Sequence, residues 1–301
     1  MRRFAAILCL LAFAGAVSLQ AQYFGQNKVR HQQLDFKVLK TQHFDIYYYP
    51  SEQAATEEVG RMAERWNDRL SHLLHHVLST RQPLILYASH TDFEQTNVLP
   101  GLIDAATGGV TLATGRKVVL PLAGSLRETD HVLGHELVHA FQYDMTTSRG
   151  SQVPGIARLP LWFVEGMAEY LSLGPEDPNT AMWMRDVVAH DKMPTIRDLN
   201  NPNKYFPYRF GQAFWAYVGG RYGDDVIAPL LLRASDSGNV NVALQSVLHV
   251  DEKQLSADWK AATLAADQPV LQVTAAVPAS SLVITAKKDE ARLNVSPAVS
   301  P

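Results

Sequence analysis

The chain has 301 residues, 47% of them hydrophobic and 19% charged, which is enough apolar material to bury a sizeable core in one large domain or two small ones. A formal net charge of −3, with no Lys/Arg cluster, argues against nucleic acid as a partner. The only cysteine, Cys9, lies in a segment that reads as removable, so a disulfide framework is excluded.

Arg2 and Arg3 precede the apolar run Phe4 to Val17, and Leu19-Gln20-Ala21 places a small residue at a cleavage point. Residues 1–21 therefore read as a secretory signal peptide, with an uncleaved anchor as the alternative. The run is too short for a confident membrane span. Cleavage after Ala21 would take the net charge from −3 to −5 and remove Cys9, which follows Leu8 rather than the small residue expected before a lipid-attachment site. A mature chain without cysteine suits a bacterial periplasm or the exterior, where a domain of this size can rely on its core.

Lys37 to Lys40 and His43 to Tyr49 predict two short strands, the second with Phe44, Ile46 and Tyr48 alternating against Asp45, Tyr47 and Tyr49. A long helical pattern runs from Ser51 to Leu78. On it, His72, His75 and His76 lie beside Trp66, Leu70, Leu73, Leu74 and Val77 and read as a solvated helix edge. Pro83 to Ala88 is another strand, and Thr107 to Leu120 holds at least one more, broken near Gly115.

His135-Glu136-Leu137-Val138-His139 is the stretch richest in chemistry. Thr129 and Asp130 offer an N-cap after Ala123-Gly124-Ser125, and Val132, Leu133, Leu137, Val138 and Phe141 supply the apolar positions of a helix. Gly134 would admit a neighbouring strand or loop at close range. Histidines four residues apart share one helix face, about one 5.4 Å turn from each other, so both can reach a single ion. Zinc fits best, since it takes nitrogen and oxygen ligands tetrahedrally and a catalytic site uses three protein ligands. Glu136 would then be the general base for the attacking water. His131, one turn earlier, reads as a surface or core histidine.

Such a five-residue pattern arises by chance in roughly one per cent of chains this long, so a second signal is needed. Leu161 to Tyr170 provides it, as a helix with Glu165 and Glu169 one turn apart on one face. Together the two segments resemble the paired signature of the gluzincins, a branch of the zincin superfamily that includes thermolysin-like proteases and aminopeptidases. The resemblance implies Glu165 as third zinc ligand, and Glu169 as a hydrogen-bond acceptor fixing the tautomer of a zinc-bound histidine, His135 above all. The gap from His139 to Glu165 is longer than in the best-known gluzincins. Met145 to Pro160, rich in Gly, Pro, Ser and Thr, reads as a surface loop that fills it.

The expected fold class is α+β, a zincin-like metalloprotease fold with a mixed N-terminal sheet, an active-site helix and a mainly helical C-terminal lobe. The order strand, helix, strand, strand, active-site helix resembles the zincin layout, in which the last strand before the metal helix is an edge. By resemblance, Val118 to Leu120 or Val110 to Ala113 would pair with an extended substrate. Beyond Glu169, helices are expected over Thr180 to His190, Gly211 to Arg221, Asp225 to Ala234, Val240 to Leu248 and Leu255 to Ala265. In gluzincins such a lobe can supply a tyrosine or histidine to the oxyanion, which makes Tyr208 and Tyr217 candidates, though tyrosines are also common in cores.

Phe24 to Val29 and His43 to Tyr49 resemble secreted bacterial proteins of peptidase-MA type that carry a WD40-like, TolB-type β-propeller after the protease domain. From Gln268 to Pro301 the composition turns to Ala, Val, Ser and Pro, and Leu293 to Pro301 resembles the opening of a propeller repeat without completing a blade. The expected organisation is a metallopeptidase domain over 22–265 and a linker or start of a truncated propeller over 266–301, the chain being a fragment or a truncated relative. The expected function is a secreted zinc metallopeptidase acting on peptide or protein substrates, with no stable membrane span after signal cleavage and a propeller-bound partner in a longer form. The alternative is a catalytically weak zincin-fold binding or scaffold protein. Intact Glu136 favours the enzyme.

Overall fold

A computed structural model describes residue 28 and residues 33–99, 101–148 and 153–275. The signal peptide at 1–21, Phe24 to Val29 apart from Lys28, and the tail from 276 with its propeller-like ending lie outside the described residues. The chain is mixed α+β and divides into two compact units between Ala157 and Arg158.

The first unit contains, in order, β1 (Lys37–Lys40), β2 (Phe44–Tyr48), a 3-10 turn at Pro50–Glu52, α1 (Gln53–Leu73), β3 (Gln82–Tyr87), α2 (His90–Glu94), β4 (Val110–Leu112), β5 (Lys117–Pro121) and α3 (Leu126–Thr146). The sheet order is β1-β2-β3-β5-β4. Outer pairs β1/β2 and β4/β5 are antiparallel, because short turns join them. The inner pairs β2/β3 and β3/β5 are parallel, and α1 makes the crossover from β2 to β3. Alternation in β2 buries Phe44, Ile46 and Tyr48 and exposes Tyr47, so one face of the strand turns to the core.

The break expected near Gly115 is a hairpin turn, with Gly115 at φ 74° and Arg116 at φ 45°, both left-handed. That reversal changes which strand is the edge. β5, the last strand before α3, is bonded to β3 on one side and β4 on the other, so Val118 to Leu120 has no open side. The sheet ends at β4 instead, which leaves the Val110 segment as the edge.

Helix α1 packs on β2 and α3, and α3 packs on β4 and β5. Gly134 does admit a close neighbour, but it is neither strand nor loop. A Cβ there would lie 2.6 Å from the Trp66 ring of α1, whose Nε1 donates to Asp130 Oδ1 at 3.0 Å. Helix α1 also stops at Leu73 rather than Leu78, which places His75 and His76 beyond its end. His76 is not on a solvated edge. Its Nε2 lies 2.7 Å from Asp144 Oδ2, and Asp144 also accepts from Ser79 N and Oγ (3.1 and 2.7 Å) and pairs with Arg116. Burial disfavours charge on Asp144, but the bonds from His76 and Ser79 and the charge of Arg116 outweigh it and hold its pKa below the ordinary carboxylate value.

The second unit contains α4 (Leu161–Leu173), α5 (Pro178–Ala189), a 3-10 turn at Asp198–Asn200, α6 (Pro207–Tyr222), another at Asp224–Val226, α7 (Ile227–Ser237), α8 (Val240–Leu248) and α9 (Glu252–Val273). The side chains of Asp177, Asn239 and Asp251 cap α5, α8 and α9, which is why these helices begin where they do. Helix α9 runs through Pro269 to Val273, so residues 266–273 of the expected linker are helical. Helices α4 and α6 meet at Gly166 and Gly211, where a Cβ on either would overlap the other helix's backbone. Among the described residues, no helix is long and apolar enough to cross a membrane.

Candidate active site

Helix α3 begins one turn before the expected cap. Ser125 Oγ accepts from Glu128 N at 3.2 Å, satisfying one open amide of the helix start, and donates to Glu128 Oε2 at 3.4 Å. Thr129, now inside the helix, is buried and accepts from Ala123 N at 3.1 Å. The extra turn anchors the segment on which His135, Glu136 and His139 sit.

All three of those side chains are buried, at 8%, 6% and 7% exposure. His135 Nε2 and His139 Nε2 converge to 3.1 Å, with ring centroids 4.9 Å apart and planes at 77°. Two nitrogens bound to one tetrahedral zinc at about 2.05 Å would lie about 3.3 Å apart, so this spacing fits a shared ion with little adjustment. His139 Nδ1 lies 2.8 Å from Gln142 Oε1. A ring N–H donated to that amide oxygen leaves the lone pair on Nε2, the tautomer a metal ligand needs.

Glu136 is held from the edge strand. Thr111 Oγ1 on β4 lies 2.6 Å from Glu136 Oε2 and 2.8 Å from its backbone oxygen. Just before β4, Gly109 clears the space beside the same carboxylate, since a Cβ there would come within 2.9 Å of Glu136 Cγ. The short antiparallel strand thus fixes the carboxylate on the helix that carries the histidine pair. His131 is half-buried, its ring edge-on to His135 at 6.3 Å between centroids.

Glu165 and Glu169 belong to the second unit, one turn apart on α4 as their spacing requires. Glu165 is half-buried. Glu169 is 4% exposed and accepts from Arg209 Nη1 at 3.0 Å, and the same guanidinium reaches Asp177 Oδ1 at 3.3 Å. Glycine follows Glu165 because Gly166 sits at the crossing with α6. There Trp215 Nε1 also donates to Phe163 O at 2.9 Å.

The two tyrosine candidates separate. Nine residues of helix is two and a half turns, so Tyr208 and Tyr217 point to opposite sides of α6. Tyr208 shares the side of Gly211 and Trp215, which faces α4, and its ring lies 5.2 Å from Phe206. Tyr217 turns away from α4. Burial raises the pKa of its phenol, and Tyr222 and Asp258 add to the effect.

Three contributors escape a reading based on motif spacing alone: Thr111, Gln142 and Arg209. Gln142 was within reach, because a residue three positions after His139 shares its helix face. Thr111 and Arg209 act across 25 and 40 residues of sequence, where no local pattern points. No family model matches the chain, and no curated protein matches it.

Proposed function

We propose that this protein is a secreted zinc-dependent metallopeptidase with a zincin-like fold. The observation that carries the reading is the buried convergence of His135 Nε2 and His139 Nε2 at 3.1 Å, with the Glu136 carboxylate of the same helix tethered by Thr111. The assigned metal ligands are His135, His139 and Glu165, two imidazoles and one carboxylate, the donor chemistry of a catalytic zinc with a position left for water or substrate. Zinc, when bound, supplies Lewis acidity to the scissile carbonyl and to water.

The chain's own groups do the rest. Glu136 takes the proton of the attacking water on its carboxylate and returns a proton to the departing amine, so the carboxylate is regenerated at the end of each turnover. Thr111 holds that carboxylate in line by its hydroxyl hydrogen. Gln142 keeps the His139 lone pair on Nε2. The β4 edge offers main-chain hydrogen bonds to an extended peptide. Tyr208 is the assigned oxyanion donor, chosen over Tyr217 because it lies on the α4 side of α6. Glu169, already bonded to Arg209, is assigned to orient His135.

The test is metal analysis of the purified protein together with hydrolysis of a mixed peptide library. The expected result is about one zinc per chain and chelator-sensitive cleavage, with Glu136→Gln keeping zinc and losing about 10²- to 10⁴-fold in rate. Glu165→Ala should lose zinc. Full zinc with no cleavage in any library would overturn the enzyme reading in favour of a scaffold, and unchanged zinc affinity in Glu165→Ala would overturn the third ligand. Export predicts a mature N-terminus at Gln22, read by N-terminal sequencing.

A further inference from the structure

The second unit holds a cleft of about 800 Å³ between α5, the chain that follows it, and the start of α6. It lies within the size range of small-molecule sites. Its lining begins with a helical stripe. Met182, Trp183, Asp186 and Val187 fall on one side of α5, which the Asp177 cap and Pro178 start at a fixed point. Opposite them stand Tyr205 and Phe210.

The aromatic groups brace one another. Trp183 lies 6.0 Å from Phe210 at 90°, and Tyr205 lies 5.3 Å from Phe210 at 84°, both edge-on contacts. Tyr205 and Phe210 are buried, so these walls are fixed from behind. Trp183 and Met182 are not covered, at 39% and 54% exposure, and Phe206 beside Trp183 is 43% exposed. Clustered exposure of large apolar side chains around a concavity is uncommon on a folded surface and marks a binding site more often than a lone exposed residue does.

The polar groups decide what the cleft would hold. Two ammonium groups, Lys192 and Lys204, line it against one carboxylate, Asp186. Asp186 Oδ1 is within 3.4 Å of His190 Nδ1. The nearby Asp198 carboxylate is taken up by Thr195 N and Oγ1 at 2.9 and 2.7 Å. Lys204 Nζ sits 4.9 Å from the centre of the Tyr205 ring, and its charged form is favoured first by a hydrogen bond with the Tyr205 side chain and further by the Asp198 carboxylate. The cleft therefore joins an apolar interior to two ammonium groups, Lys192 and a Lys204 steadied by Tyr205 and Asp198.

We infer that this cleft binds a small amphipathic carboxylate, an alkyl or arylalkyl acid. Its apolar body would lie against Trp183, Tyr205 and Phe210, and its carboxylate would meet Lys192 and Lys204. A neutral ligand of equal length would gain only the apolar half of this recognition. The site rests on the second unit alone, and its test reads binding rather than hydrolysis, so it stands or falls apart from the proposed peptidase activity.

Calorimetric titration of the full chain with decanoate and with decanol, both kept below their aggregation limits, tests it directly. Decanoate should bind one to one, with decanol at least tenfold weaker. The double substitution Lys192→Gln with Lys204→Gln should erase that preference by weakening decanoate alone. Trp183→Ala should weaken both ligands. All these side chains are surface-accessible, so thermal melting should show the variants folded. Equal affinity for acid and alcohol, decanoate affinity untouched by the lysine substitutions, or no binding would overturn the inference. So would binding of a short peptide with an apolar C-terminal residue where decanoate does not bind, since the occupant would then be a peptide.

Discussion

Helices α3 and α4 each carry a pair of titratable residues one turn apart, His135 and His139 on one, Glu165 and Glu169 on the other, yet they are held in different ways. Beside the apolar packing of Leu133, Leu137, Val138 and Phe141, α3 has polar contacts that reach far along the chain: Thr111 to Glu136, Trp66 to Asp130, and His76, Ser79 and Arg116 to Asp144. Helix α4 is held by backbone approach at Gly166 and Gly211, by indole bonds from Trp162 to Asn200 and from Trp215 to Phe163 O, and by the Arg209 ion pair. The difference follows from what each helix positions. An imidazole must be set in rotamer and tautomer, which needs hydrogen bonds to particular atoms. A carboxylate accepts in several directions, so placing the helix axis settles most of its position.

The contrast can be broken most sharply at the glycines of the second unit. Gly211→Ala should cost about 3 kcal/mol, the upper end for overpacking, because its Cβ meets the Trp162 carbonyl and lies 2.7 Å from Gly166 Cα, and backbone cannot rotate aside. Denaturant unfolding read by far-UV dichroism measures it. In the first unit, Asp144→Asn should cost about 2 kcal/mol, since hydrogen bonds to a buried charge are lost while Arg116 can still reach water. The sign of its pH dependence follows from the lowered folded pKa. The stabilisation is complete above the unfolded value of about 3.9 and fades as pH falls through the lower folded value. Wild type and Asp144→Asn should therefore converge in stability only in that acid range, as paired melts across pH 2 to 7 would show; a constant difference would refute the assignment. Smaller again, Gln142→Leu should weaken zinc binding about tenfold, the low end for a group that orients a ligand, with little change in fold. Competition with a chelating dye reads it.

Sequence makes the first helix's chemistry plainer than the second's, and the reason is locality. Spacing of four residues reports a shared helix face whatever surrounds it, so the His135/His139 and Glu165/Glu169 pairs are legible, as are the five later helices with their Pro and Gly boundaries. The strand segments are legible too, but their order is not. Whether β5 or β4 is the edge depends on the hairpin at Gly115 folding β4 outward, a fact about pairing rather than composition. The Asp144 cluster joins residues up to 68 apart, and His76 reads as an exposed helix residue until the helix is known to stop at Leu73. Gly134 shows the same limit: its closeness to something is readable, but its partner Trp66 lies 64 residues away from the neighbouring Asp130 it bonds.

That last glycine sets the smallest prediction and the sharpest test of the contrast. Ala at position 134 gains about 1 kcal/mol of helix propensity over Gly, just as Ala does at 211. Its Cβ would stand 2.6 Å from the Trp66 ring, so the ring must move. A half-buried side chain on a neighbouring helix can do so, at the cost of the 3.0 Å bond to Asp130, worth about 1 kcal/mol. The opposing terms nearly cancel, and Gly134→Ala should change stability by less than about 1 kcal/mol. Placed in a Trp66→Ala background, the same substitution should become stabilising by about 1 kcal/mol, because only the helix term survives. A penalty at 134 as large as at 211, undiminished without Trp66, would mean that the first unit also depends on backbone approach and that its polar contacts do not set the helix position.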